Sequence, residues 1–500
     1  MPLTPYPKPH TSYLVPLFAF CFLFFTNTTA QSTVKNVIFM VPDGTSISVL
    51  SLSRWYQFYI DENQTRLAID PYICGMIRNH SSNAPIGDSA PTMSGYMTGY
   101  YSQTGFVSMC PPTSENDLVK VDALLSYTPR LTVMEAARIS QNKAIGLVFT
   151  CEYPHATPAA TSAHWYKRSD YATIQKQMMH NSIDVVIGGG ATLMTQQDSL
   201  TLIKNGYDVL LNDIVSMNKS SSHKLWALFG NKGKYGYMDY DWERDTAKQP
   251  SLAQMTKKAI ELLSENKEKE GFFLMVEGSK IDWAAHRNNP KGVLSEFLAF
   301  DAAVKVAIDF AQKNGETLVV ICPDHGCGGM SIGNKLSNKG YDKLSLNKLM
   351  EPLKKENKDK KLSSKSYIGF TTSGHTGEDL FLAIYDSRPN ERLSGLVTPK
   401  EINDYLCDAV GVKSLDSLSN FYYFKLTDIF NETEFDFKSI DSNRIKITPK
   451  ENPNFTLIIE KNSNKILINK QEWQTQTPAI YVDKTKTWYV SKECLFLLPN

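Results

Sequence analysis

The 500-residue sequence carries almost no charge imbalance, with 53 Lys+Arg against 52 Asp+Glu and a formal net charge of +1. A chain so balanced offers no broad electrostatic surface for nucleic acid or an acidic membrane. Cysteine is sparse: there are eight, and no Cys-x-x-Cys pair, which argues against a thiolate zinc site. No internal repeat is present. With 42% hydrophobic and 21% charged residues and a mean hydropathy of −0.29, the composition is that of a globular chain. It excludes a wholly disordered chain, a coiled coil, a collagen and a multi-span membrane protein. At about 150 residues per domain, the length suits one large α/β domain with additions, or two to four domains.

The two ends differ from the middle. Residues 13–25 (YLVPLFAFCFLFF) form an unbroken apolar run. It falls short of the roughly 20 residues a membrane-spanning helix needs, and suits the core of a signal peptide. Thr28 and Ala30 place small residues at −3 and −1 of a cleavage site after Ala30. Residues 1–30 are therefore expected to be a signal peptide, the protein exported to a periplasmic or extracellular compartment, and no transmembrane segment left after cleavage. An uncleaved anchor is the competing reading, because only Lys8 and His10 supply an n-region charge. Loss of Cys21 would leave seven cysteines, an odd number, in a compartment that permits disulfides. From about Asn420 the composition turns to Asn, Lys, Thr, Ile and aromatics. Runs at 444–448, 455–460, 465–469, 479–482 and 487–490 read as short strands, with a turn at 462–464. This predicts a β-rich region over 416–500 with a structural or attachment role.

Between them, 31–415 reads as one α/β domain. The runs 34–41, 144–150, 184–187, 272–276 and 317–321 are short, apolar and β-branched, as strands buried on both faces are. Helical patterns alternate with them. One opens at Thr132 with a capping box to Glu135, one covers 252–267, and one covers 293–313 with Gly315 just past its end. The expected fold class is α/β: a three-layer sandwich with a central, mostly parallel sheet and helices on both faces, plus a small C-terminal β-rich appendix. The lysine-rich tract 354–365 reads as a solvated insertion.

Open parallel sheets bind ligands beyond the carboxyl ends of their strands, and acidic and imidazole residues gather there. Asp43 follows the first run, Glu277 and Asp282 the fourth, and Asp324 and His325 the fifth. Asp282 and His286, four apart, share one helical face and can chelate one ion. Four such pieces, with His375, point to a multi-metal site. Mixed oxygen and nitrogen donors suit zinc, and a purely oxygen set suits magnesium. In Gly87-Asp88-Ser89-Ala90-Pro91-Thr92 the proline suits a first helical turn, which puts Ser89 at a helix N-terminus where an anion or alkoxide is favoured. The competing reading is that Asp88 or Ser89 only caps the helix.

These motifs, in order, are VPDGTS (41–46), GDSAPT (87–92), HATPAA (155–160) with Arg168 thirteen positions after its His, VEGSKIDWAAH (276–286), PDHG (323–326) and SGHTGED (373–379). Together they resemble the metal-dependent alkaline phosphatases over about residues 34–412. The resemblance implies a phosphoric monoester hydrolase that uses two Zn2+ and one Mg2+ per chain and acts on small phosphomonoesters. It implies Ser89 as the nucleophile that becomes a phosphoserine. It implies Asp282, His286 and His375 as ligands of one zinc, and Asp43, Asp324 and His325, with Ser89, as ligands of the other. Asp43 would also reach toward a magnesium held by Thr157 and Glu277, and Arg168 would grip two phosphate oxygens. A homodimer is open, since many relatives are dimers.

Two positions depart from the commonest patterns. Some members carry Asp and Lys where this chain has His155 and Trp283, others His at both, and certain bacterial members the His-and-Trp pair seen here. Both are candidate substrate-contacting residues beside Arg168. His155 either reaches the magnesium's water shell or is a plain hydrogen-bonding residue. Trp283 cannot donate as Lys does, and is expected to wall the pocket by packing. A sulfatase or phosphodiesterase of the same superfamily is the first alternative. Against a sulfatase, Met93 stands where its modification motif needs Arg. A non-catalytic metal- or phosphate-binding protein is the second.

Overall fold

The computed structural model describes residues 33–334, 336–337, 340–341, 344–354, 367–389 and 392–497. The expected signal peptide and almost all of the lysine-rich tract lie outside the described residues. Thr33–Asn500 form one compact unit. Among the described residues, no helix is long and apolar enough to cross a membrane.

The core is a ten-stranded sheet. Its strands in chain order are β1 (Asn36–Val41), β2 (Ile73–Ile77), β3 (Ala144–Glu152), β4 (Val185–Gly189), β5 (Asp208–Leu211), β6 (Leu225–Phe229), β7 (Phe272–Glu277), β8 (Thr317–Ile321), Leu380–Asp386 and Gly395–Val397. Across the sheet the order is Gly395–Val397, β2, Leu380–Asp386, β8, β1, β7, β3, β4, β6, β5. The block from β8 to β5 is wholly parallel, and Leu380–Asp386 runs antiparallel to both its neighbours. This is the expected sandwich.

Alternation along each central strand divides the core in two. Val37, Phe39 and Val41 of β1 join one buried cluster with Phe273 and Met275 of β7. Ile38 and Met40 join the opposite cluster with Phe272, Leu274 and Val276. Helices α1 (Ile47–Ile60), α2 (Ser89–Thr98), α3 (Val133–Gln141) and α4 (Ala156–Ser162), with Leu252–Glu265 and Pro290–Asn314, fill the two faces. The expected caps form: Thr132 and Glu135 make a capping box on α3, and Gly315 closes Pro290–Asn314 in the left-handed conformation.

Five strands of this sheet escaped the sequence reading: β2, β5, β6, Leu380–Asp386 and Gly395–Val397. β6 (LWALF) is fully buried but only five residues long, and so short an apolar run does not distinguish strand from helix by periodicity.

The C-terminal part is a seven-stranded antiparallel sheet in the order Phe424–Lys425, Thr487–Val490, Gln471–Val482, Ser463–Ile468, Leu457–Glu460, Arg444–Pro449, Phe435–Ser439. Phe424–Lys425 and Phe435–Ser439 were not expected as strands. The turn falls earlier than read, since Ser463 and Asn464 already belong to a strand and Asn462 takes the left-handed conformation with φ 57°. This sheet docks on the main body through apolar contacts, with Ile480, Val482 and Tyr489 joining the buried cluster that contains Phe39 and Met134, and through polar ones. The buried Glu135 carboxylate accepts from Tyr423 Oη (3.3 Å) and Asn181 Nδ2 (2.7 Å), with His164 Nε2 at 3.1 Å. Arg138 reaches Gln476 Oε1 at 2.8 Å.

All seven described cysteines are free thiols. Cys322 and Cys327 are both buried.

Candidate active site

Register along the parallel block delivers the polar residues to one edge. Val41 of β1 stands opposite Glu277 of β7, and Met40 opposite Ile321 of β8. Phe149 of β3 also faces Glu277. Asp43, Glu277, Asp324 and the His155–Thr157 turn therefore emerge side by side. Asp282 and His286 occupy one face of the helix Lys280–His286. His375 arrives on a two-residue strand paired to Gly326–Cys327. That pairing stacks its ring on His325 at 3.7 Å between centroids.

The sequence-predicted residues gather in neighbouring groups. In one group, His286 Nε2 lies 3.3 Å from Asp282 Oδ2 and 3.1 Å from His375 Nε2, and His375 Nε2 lies 3.7 Å from Asp282 Oδ1. In the next, His325 Nε2 lies 3.5 Å from Asp43 Oδ1, 3.4 Å from Asp324 Oδ2 and 3.1 Å from Ser89 Oγ. The second nitrogen of each imidazole faces a backbone carbonyl: Ser373 for His286, Gly87 for His375 and Gly326 for His325. Such contacts fix ring orientation and leave Nε2 directed at the pocket. In a third group, Glu277 lies with Cys151 and His155.

Ser89 is the first residue of α2, and Asp88 is its N-cap by position but makes no side-chain cap. The Asp88 carboxylate instead pairs with the Arg168 guanidinium and accepts from Gly105 N at 3.2 Å. The capping alternative for Asp88 thus gives way to an anchor for Arg168. His155 Nε2 lies 3.5 Å from Arg168 Nη2. Half-buried Trp283 stands edge-on to His155 (centroids 5.7 Å) and to Tyr237 (5.0 Å).

The electrostatics mark the pocket as built for cations. Asp43, Glu277, Asp282 and Asp324 are all buried. Both Asp43 oxygens, Glu277 Oε1, Asp282 Oδ1, Asp324 Oδ2 and Thr157 Oγ1 are buried without a hydrogen-bond partner. Burial, then the charges of Asp324, Asp282 and Glu277, push the Asp43 carboxyl well above its ordinary range. Burial likewise raises Glu277 to about 7. Burial alone would raise Asp282 too, but the His286 hydrogen bond and the His325, His286 and His375 rings hold it below the ordinary value. The Asp282 hydrogen bond raises His286 to about 9. Burial and then the Arg168 charge press His155 down to about 3, so its ring is neutral at physiological pH. Burial opposes the charge on Arg168, but Asp88 and Asp43 outweigh it and keep the guanidinium protonated. Unpartnered buried carboxylates of like charge are costly alone and are relieved by bound cations. Three ligand clusters, each with its donor atoms within 4.8 Å, fit that description: Asp282/His286/Cys327/His375, Asp43/Asp282/His325 and Cys151/His155/Glu277.

A family model for alkaline phosphatase matches residues 34–412. The chain belongs to the alkaline phosphatase family. It is a phosphomonoester hydrolase of a metal-dependent family. Alkaline phosphatase 3 of Bacillus subtilis (strain 168) is 31% identical over 434 residues, covering 74% of this chain and 88% of its own. Alkaline phosphatase 4 of the same organism is 34% identical over 316 residues, covering 61% of this chain and 64% of its own. Among solved structures, the alkaline phosphatase of the Antarctic bacterium TAB5 shares the fold with TM-score 0.58 at 23% identity, covering 76% of this chain and 99% of its own. That of Thermus thermophilus does so with TM-score 0.64 at 19% identity, covering 76% and 92%.

Several residues of this phosphatase's pocket went unread in the sequence. Gly44, with φ 64°, turns the chain so that its N–H donates to Asp324 Oδ1 at 3.1 Å. Lys280 is fully buried, donates to Met238 O at 2.6 Å and sits 3.8 Å above the Tyr240 ring, which pins the segment carrying Tyr237. Cys151 donates to Glu277 Oε2 at 3.3 Å. Gly44 and Lys280 fall inside the motifs VPDGTS and VEGSKIDWAAH without a role legible from spacing, and Cys151 lies outside every motif.

Proposed function

We propose that this chain hydrolyses small phosphate monoesters in two displacements through a phosphoserine on Ser89, with two zinc ions and a third divalent cation in the pocket. Asp282, His286 and His375 would hold one zinc; Asp43, Asp324 and His325, with Ser89 beside them, would hold the other. Asp43, Thr157 and Glu277, oxygen donors all, form the third position, and as a set of oxygens they suit magnesium. A variant of the TAB5 enzyme, 25% identical to this chain, has Mg bound in the M3 site. When bound, such cations lower the pKa of a serine hydroxyl and stabilise charge on the attacking and leaving oxygens.

The remaining work falls to the chain's own groups. Ser89 Oγ forms the bond to phosphorus as the ester P–O bond breaks and the leaving group departs with its oxygen. Water then cleaves the phosphoserine and returns the hydroxyl. Arg168, fixed by Asp88, presents two N–H groups to non-bridging phosphoryl oxygens, the geometry a bidentate fork provides. Neutral His155 orients beside it, and Trp283 closes one wall. Residues 1–30 would be removed on export, a reading supported by the apolar run 13–25, and 416–500 would serve as a structural appendix to a catalytic region spanning 31–415.

The observation that carries this reading is Ser89 Oγ at the N-terminus of α2, 3.1 Å from His325 Nε2 and amid buried, unpartnered carboxylate oxygens. The test is an assay of zinc- and magnesium-loaded protein on a phosphomonoester, a phosphodiester and a sulfate ester, with Ser89→Ala alongside. Turnover should be fastest on the monoester and fall at least about 10³-fold in Ser89→Ala. A variant that kept the full rate would overturn the nucleophile, and a preference for the diester or sulfate would overturn the substrate class.

A further inference from the structure

The third cation position contains more than oxygen. Cys151, on β3, lies next to Glu277 on β7, with its Sγ 3.3 Å from Glu277 Oε2. Cys151, Glu277 and Thr157 are each fully or almost fully buried. Donor atoms of Cys151, His155 and Glu277 all lie within 4.8 Å of one another. Three further atoms there are buried without a hydrogen-bond partner: Glu277 Oε1, Thr157 Oγ1 and His155 Nδ1. His155 Nε2 is directed to Arg168, so Nδ1 is the ring nitrogen left for a ligand.

The donor chemistry decides which cation this set prefers. Magnesium takes near-ideal octahedral oxygen coordination and keeps several waters. A thiolate and an imidazole are softer donors that suit zinc, and zinc is content with four ligands. Resting on the three-cation reading above, we propose that the third position in this chain is a zinc site in which Cys151 is a ligand, together with His155, Glu277 and Thr157. The thiol proton leaves to solvent as the sulfur–zinc bond forms. The position therefore has a different metal preference from the all-oxygen set that Asp43, Thr157 and Glu277 would make on their own.

Two measurements on the full chain test this. The first is elemental analysis of protein equilibrated with zinc and magnesium together. The expected result is three zinc ions per chain, against two zinc and one magnesium in Cys151→Ser, with third-site zinc affinity weakened at least about tenfold. The second is the absorption spectrum of cobalt-substituted protein. A near-ultraviolet sulfur-to-cobalt charge-transfer band should be present in the wild type, absent in Cys151→Ser and retained in Cys327→Ser, the other thiol beside the metal pocket. Magnesium in the wild-type third site, no sulfur-to-cobalt band, or a band that survives Cys151→Ser and vanishes in Cys327→Ser would each overturn the proposal. The wild-type stoichiometry stands even if Cys151→Ser fails to fold. Neither readout depends on turnover, so failure of the phosphatase reading would show separately, in the Ser89→Ala assay.

Discussion

Gly44→Ala tests whether the pocket acts by position. Gly44 follows Asp43 in the turn after β1, with φ 64°. A Cβ there would lie 2.6 Å from Asp282 Oδ1, 2.7 Å from Asp282 Cβ and 2.8 Å from Asp282 Cα. The Oδ1 atom could swing aside, but the Cα belongs to the backbone of Lys280–His286. Its 2.8 Å separation falls about 0.6 Å short of the 3.4 Å at which ordinary van der Waals contact begins. Either Asp43 or Asp282 must shift by that amount. A misplacement approaching 1 Å at a reacting centre lowers the rate by as much as about 10²-fold, so kcat/KM is expected to fall about 10- to 100-fold, or about 1.4 to 2.7 kcal/mol. The left-handed conformation adds a backbone strain of about 1 kcal/mol for alanine. Gly315→Ala separates the two effects: Gly315 has φ 71°, but a Cβ there would meet nothing within 4 Å, and it caps a helix away from the pocket. It should lose about 1 kcal/mol of stability with kcat/KM unchanged. Steady-state kinetics on a chromogenic phosphomonoester, with chemical denaturation of each variant, gives both numbers. A folded Gly44→Ala protein with wild-type kcat/KM would refute the argument, as would an equal kinetic loss in Gly315→Ala.

Arg168→Lys should raise KM for phosphomonoesters and weaken inhibition by inorganic phosphate about 10- to 100-fold, since an ammonium cannot reproduce the bidentate fork; equal phosphate inhibition would argue against the grip. Removal of metals by a chelator should abolish activity and lower the melting temperature, because the buried Asp43, Glu277, Asp282 and Asp324 lose what balances them; calorimetry before and after zinc readdition checks it. Glu135→Ala should destabilise by about 3 to 5 kcal/mol, because it leaves His164, Asn181 and Tyr423 without their shared buried acceptor, and denaturant unfolding reads this directly. Lys143 donates to the carbonyls of Val34, Lys35 and Glu270, and burial lowers its pKa from 10.5 to about 8. Between those values the unfolded chain binds the extra proton, so this group's contribution to stability rises with pH across that window, by up to about 3 kcal/mol. Relative to Lys143→Met, the wild type should gain stability from pH 8 to pH 10, and a flat difference would contradict it.

Much of the site was legible in the sequence because its chemistry is written in short segments. Asp282 and His286 at helical spacing, Asp324-His325 after an apolar run, and Ser89 two residues before a proline each carry a local physical signature. Residues whose role depends on contact across the chain were not legible. Asp88 was open between a cap and another role until the turn at Gly105 and the guanidinium of Arg168 were placed against it. Cys151 carried no signal in the sequence, because only the pairing of β3 with β7 sets it beside Glu277. The five-residue strands β2 and β6 were missed because their pairing, not their periodicity, makes them strands.

The sequence by itself determined the fold class, the family and the inventory of donors, because alternating burial, caps and ordered motifs are local properties of the chain. Tertiary structure decided which donors share an ion, which carboxylates are left buried without partners, and where the two thiols lie relative to them. Those are distances between residues tens to hundreds of positions apart, and they are set by the register of the parallel sheet together with the antiparallel pairing that delivers His375.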